Sequence, residues 1–73
     1  MKKPYTIEKF GKRLLELRKE KGLTTRQLAD KLGFSQTAIS NWENLNREPS
    51  LTYVVKLAQY FDVSVGYMAG TED

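Results

Sequence analysis

Seventy-three residues suffice for one small domain, which hides only about 60% of its unfolded surface on folding and so needs an economical core. Its hydrophobic share of 40% and charged share of 29% match an ordinary folded domain and exclude a disordered chain. The net charge of +3 is unevenly spread: Met1–Lys31 holds ten Lys/Arg against four acids, whereas the remainder holds two against five, a distribution suited to presenting one face to a polyanion.

Cysteine and histidine are both absent. That excludes disulfides and thiolate zinc sites, and removes the commonest general base and metal ligand, so no cofactor, metal or catalysis is expected. No apolar run reaches the ~18 residues of a membrane span, and no apolar signal segment opens the sequence. A cytoplasmic location is therefore expected.

Five helices are predicted in chain order, and no period-2 strand pattern competes with them. Met1–Tyr5 reads as a tail, with Lys2 and Lys3 solvated or trailing along a polyanion. A first helix runs from about Ile7 to Lys21, with Phe10, Leu14 and Leu17 at helical spacing and Gly22 as its stop. Lys9, Lys12, Arg13 and Lys19 on this helix read mostly as solubility charges.

Thr24 and Gln27 form a T-x-x-Q capping box, and Leu23 and Leu28 make the matching hydrophobic staple. The second helix so begun ends at Leu32, before Gly33. Ser35 caps a third helix to about Asn44, with Phe34 stapled to Ile39. Only Gly33, Phe34 and Ser35 separate the two, which is the tight connection of a helix-turn-helix unit.

A polar loop follows, from Asn44 to Pro49. Ser50 caps a fourth helix, Leu51–Phe61, with Val54, Leu57, Ala58 and Phe61 on one stripe. Ser64 caps a short fifth helix that Gly70 stops, stapled by Val63 and Met68. Thr71–Asp73 reads as a second tail, so order is expected from about residue 6 to residue 70.

Two helices crossing at a three-residue turn need small side chains where they meet, a role suited to Ala29 and Ala38. Ile39 and Trp42, three apart, form the inner face of the third helix. Its outer face carries Gln36, Thr37, Ser40, Asn41 and Asn44, all polar and uncharged. Such side chains suit the donors and acceptors of base edges, whereas a merely solvated helix would more often carry paired Glu and Lys. Trp42 reads as core. Asp30 beside Ser35 or Thr37 does not read as a hydrolase, because no histidine is present to activate a hydroxyl. Tyr53, Tyr60 and Tyr67, spaced by seven, read as partial burial, with an interface between two copies built on Tyr67 and Met68 as the sharper alternative.

Thr25–Trp42, with Ala29, Gly33, Ile39 and Trp42 in place, resembles the helix-turn-helix of the Cro/phage-repressor (Xre-type) family of transcriptional regulators. The segments "RLLELRKEKGLT" and "NREPSLTYVVKLAQYFDVSV" extend the resemblance over about Phe10–Gly70. The resemblance implies an all-α, compact five-helix, lambda-repressor-like domain with the helix-turn-helix at helices 2 and 3. It implies base contacts from Gln36, Thr37, Ser40 and Asn41, and phosphate contacts from Thr25, Asn44, Asn46 and Arg47. It further implies a structural ion pair between Arg18 and Glu43.

As partners it implies a double-stranded DNA operator and a second copy of the chain, at least on DNA. The function expected is sequence-specific regulation, as a repressor, on a palindromic operator. An antitoxin or adaptor whose main partner is a protein, or the DNA-binding part of a longer ligand-sensing regulator, are the alternatives. Two positions depart from the family. Leu45 stands where glycine is usual, and a leucine resists positive φ, so the resemblance does not by itself carry over the loop path and its phosphate contacts. Gly66 and Ala69 stand where larger or acidic residues are usual, altering a surface that relatives often use to dimerise.

Overall fold

The structure is a computed structural model that describes residues 7–72. The expected N-terminal tail with Lys2 and Lys3, and Asp73, lie outside the described residues. Five helices follow one another: α1 Ile7–Glu20, α2 Thr25–Leu32, α3 Gln36–Glu43, α4 Leu51–Phe61 and α5 Val65–Ala69. Among the described residues there is no strand.

Local chemistry sets where the helices begin. The Thr24 hydroxyl accepts from the Gln27 amide at 3.1 Å, and the Gln27 side chain accepts from the Thr24 amide at 2.9 Å, completing the capping box. Ser35 accepts from Ala38 N–H at 3.1 Å and Ser64 from Tyr67 N–H at 2.9 Å, each satisfying a donor the first turn leaves unpaired. Ser50 holds the cap position of α4 but makes no side-chain cap bond.

All five helices end in one manner. A residue in the left-handed region closes the helix, and the next N–H reaches back five residues: Leu23 to Arg18, Phe34 to Ala29, Asn46 to Asn41, Val63 to Ala58 and Thr71 to Gly66. Glycine occupies the left-handed position in three of the five, including Gly33 at φ 71°, where the turn needs it. Asp62 (φ 57°) and Leu45 (φ 65°) occupy the other two. Leu45, at the position where the family's glycine is usual, thus adopts the glycine conformation despite its side chain.

One apolar core joins the helices. Phe10 and Leu14 of α1, Leu28 of α2, Ile39 of α3, Leu57 of α4 and Met68 of α5 have no exposed surface, and Trp42 is nearly as buried. Burying each such side chain contributes roughly 1.5–3 kcal/mol of transfer free energy. Met68 therefore packs inward, in keeping with its staple to Val63, and the alternative that sets it at an interface between copies is corrected. The three tyrosines do not share a stripe: Tyr53 packs on Phe34 and Trp42, Tyr60 on Phe61, and Tyr67 beneath the Arg13 guanidinium, 4.2 Å from the ring centre.

Arg13 is accordingly a clasp rather than a solubility charge. It donates to the Tyr67 and Glu72 carbonyls, while Thr71 and Glu72 bond back to the Gly66 carbonyl and the Ser64 hydroxyl bonds the Glu72 carboxylate. Thr71 and Glu72, expected as tail, are part of the fold.

Two contacts fix α3 against α1. Arg18 Nε and Nη2 donate to the two Glu43 carboxylate oxygens at 2.7 and 2.9 Å, and Nη1 donates to the Leu23 carbonyl at 2.7 Å. The two side chains are only 12% and 9% exposed. The hydrogen bond to Glu43 holds the guanidinium above its ordinary pKa, outweighing the opposite effect of burial. Nearby, Gly11 lets the helices approach: a Cβ there would lie 2.7 Å from both the Trp42 carbonyl oxygen and Leu45 Cδ2.

Glu43→Gln is expected to cost about 2–4 kcal/mol in urea denaturation, slightly below a fully buried pair because both groups retain some solvent. Gly11→Ala should also destabilise, by about 1–3 kcal/mol, although alanine is the better helix former, because the Trp42 carbonyl belongs to the backbone. Gly66→Ala is the contrast: it crowds only the Glu72 side chain, which can swing aside at the loss of its bond to Ser64, so it should cost no more than about 1 kcal/mol.

Candidate nucleic-acid interface

The helix-turn-helix fixes which face α3 turns outward. Ile39 and Trp42 are buried, and the Trp42 ring meets Phe10, Phe34 and Tyr53 at centroid distances of 6.0, 6.0 and 5.1 Å. With that side locked, Gln36 and Thr37 are exposed and Ser40 and Asn41 half-buried, one turn further along the same helix. Ala29, buried in α2, and Gly33 bring the two helices to their three-residue turn, with Ala38 half-buried beside the core.

Thr25, in the first turn of α2, joins this surface. Gln36 Nε2 donates to Thr25 Oγ1 at 3.2 Å. The Gln36 amide oxygen and second N–H stay available, as does the Thr25 hydroxyl proton. The positive end of the α2 dipole lies at the same place.

At the other end of α3, Asn44, Asn46 and Arg47 are exposed. Asn44 stands between α3 and the left-handed Leu45, its N–H donating to the Ser40 carbonyl at 2.9 Å. Thr37, Asn41 and Arg47 meet at an open cleft of about 450 Å³ between the start of α3 and the start of α4. Gln36 and Thr25 stand outside that cleft, as do Asn44 and Asn46.

Seven other residues line the cleft, none of which the sequence singled out for a ligand; among them Ser35, Ser50 and Tyr53 carry hydroxyls and Glu48 a carboxylate. Ser50 carried no signal, because a serine at a helix start reads as a cap, and only the structure shows that it makes no cap bond and keeps its hydroxyl for other partners. Tyr53 carried none, since its ring could be placed against Phe34 and Trp42 only in three dimensions.

The site offers hydrogen-bond donors and acceptors, helix N-termini, one cation in Arg47 and, beside it, one carboxylate in Glu48. Among the described residues no group of carboxylates could hold a metal ion, and no helix is long and apolar enough to cross a membrane.

Comparison with known proteins agrees with this geometry. A helix-turn-helix family model matches residues 14–68. The uncharacterized HTH-type transcriptional regulator YobD of Bacillus subtilis is 40% identical over 64 residues, covering 88% of this chain and 57% of that protein. Among solved structures, the restriction-modification controller protein C.AhdI from Aeromonas hydrophila has a TM-score of 0.76 and 35% identity, over 85% of this chain and 94% of that one. SinR in complex with DNA has a TM-score of 0.72 and 37% identity, over 81% and 95%. The chain spans about half the length of the curated relatives it matches. It belongs to the helix-turn-helix family of the Cro/phage-repressor, or Xre, type.

Proposed function

We propose that this chain is the DNA-binding unit of a transcriptional regulator that reads the major groove with α3. The observation that carries the reading is the division of α3 into a locked apolar side and an outward side of short, uncharged polar groups. Gln36, Thr37, Ser40 and Asn41 then lie against base edges. Gln36, oriented by Thr25, has the acceptor and donor that pair with an adenine edge. Thr25, Asn44, Asn46 and Arg47 meet the sugar–phosphate backbone on either side, and these contacts set register rather than sequence. The family membership, and the likeness to SinR solved with DNA, support the same assignment.

One such domain presents too little surface for tight specific binding, so two copies act together on an approximately palindromic operator, their α3 helices about 34 Å apart. Occupying that operator represses the adjacent promoter. Tyr67 remains a candidate contact between the copies, with its ring edge rather than the face that Arg13 covers.

In vitro selection from a random DNA pool at low salt tests the reading. It should enrich a palindromic consensus, and Gln36→Ala should weaken binding to that site by about 1–3 kcal/mol while sparing random DNA. Arg47→Ala should weaken binding to every sequence alike. If nothing is enriched, a protein partner is the better reading. If Gln36→Ala lowers specific and random binding equally, the base-reading assignment is wrong.

A further inference from the structure

Of the five left-handed helix ends, four use residues that tolerate the conformation, three of them glycine and one aspartate. Leu45 is the exception. A leucine there carries backbone strain that persists only where its surroundings hold it in place, and such strain collects at functional sites. Leu45 stands directly before Asn46 and Arg47.

Two features hold it. The Leu45 N–H donates to the Trp42 carbonyl at 3.2 Å and the Asn46 N–H to the Asn41 carbonyl at 2.8 Å, tying residues 45 and 46 to the last turn of α3. The leucine side chain, 45% exposed, meanwhile rests one end on α1 at Gly11, where Cδ2 occupies the space beside the missing Cβ. Glycine at position 45 could make the same backbone bonds, but it would lack this seat and could leave the left-handed region freely.

We infer that Leu45 is a positioning residue. Seated in the Gly11 notch, it holds residues 46 and 47 on the single path along which they meet the DNA backbone. The inference rests on the proposed DNA-binding function. Ordering the loop in advance lowers the entropic penalty of binding without adding a contact to DNA.

The test compares the full chain with its Leu45→Gly variant by fluorescence anisotropy, on the selected duplex and on a random one. The variant should bind both about 3- to 5-fold more weakly, with an unfolding midpoint at or above that of the parent chain. In the absence of DNA, its Asn46 amide should exchange with solvent about 5-fold faster. Equal or tighter binding by the variant, or unchanged exchange at Asn46, would overturn the inference while leaving the DNA reading intact. A loss of binding matched by a loss of stability would assign Leu45 a purely structural role. Absence of binding by the parent chain to any duplex would overturn both.

Discussion

Arg18 is the joint on which the arrangement turns. Its guanidinium uses Nε and Nη2 on the Glu43 carboxylate and Nη1 on the Leu23 carbonyl, so one side chain of α1 ties the end of α3 to the turn that begins α2. The fork matches a carboxylate in a way that a lysine ammonium could not. Because both groups are nearly buried, either one left alone would be an uncompensated charge. The pair therefore specifies one relative placement of α1, α2 and α3, which the apolar core alone would fix less sharply.

That placement gives α3 its two sides. Trp42 fits among Phe10, Phe34 and Tyr53, and Gly11 lets the backbone of α1 approach the Trp42 carbonyl. Rotating α3 would expose Trp42 and separate Glu43 from Arg18, so the outward direction of Gln36, Thr37, Ser40 and Asn41 follows from contacts those residues do not make. The outward side is thus held by packing and charge on the opposite side of the same eight residues.

What could be read from the sequence was whatever is encoded locally. The caps at Thr24, Ser35 and Ser64 depend on residues three apart, and the stops at Gly22, Gly33 and Gly70 on single glycines, so the helix limits were legible to within a residue or so. The Arg18–Glu43 pair was available only through family resemblance, because 25 residues separate its members. Features needing a distant partner stayed hidden. Gly11 resembles any mid-helix glycine until α3 is placed against it. Arg13 resembles a solvated charge until Tyr67 and Glu72 arrive beside it. The interface alternative for Met68 stayed open because methionine serves interfaces and cores equally well, and a five-residue helix is too short for periodicity to decide between them. The left-handed Leu45 broke the one rule by which such positions are recognised.

The central claim is that the outward side of α3, and not another surface of this basic domain, meets DNA bases. The most direct measurement follows the side-chain amide resonances by NMR as the selected duplex is added. Gln36 and Asn41 should shift strongly, and Asn44 and Asn46 to a lesser degree, while Gln59, exposed near the far end of α4, stays unchanged. Shifts at Gln59 with Gln36 and Asn41 unmoved would contradict the account.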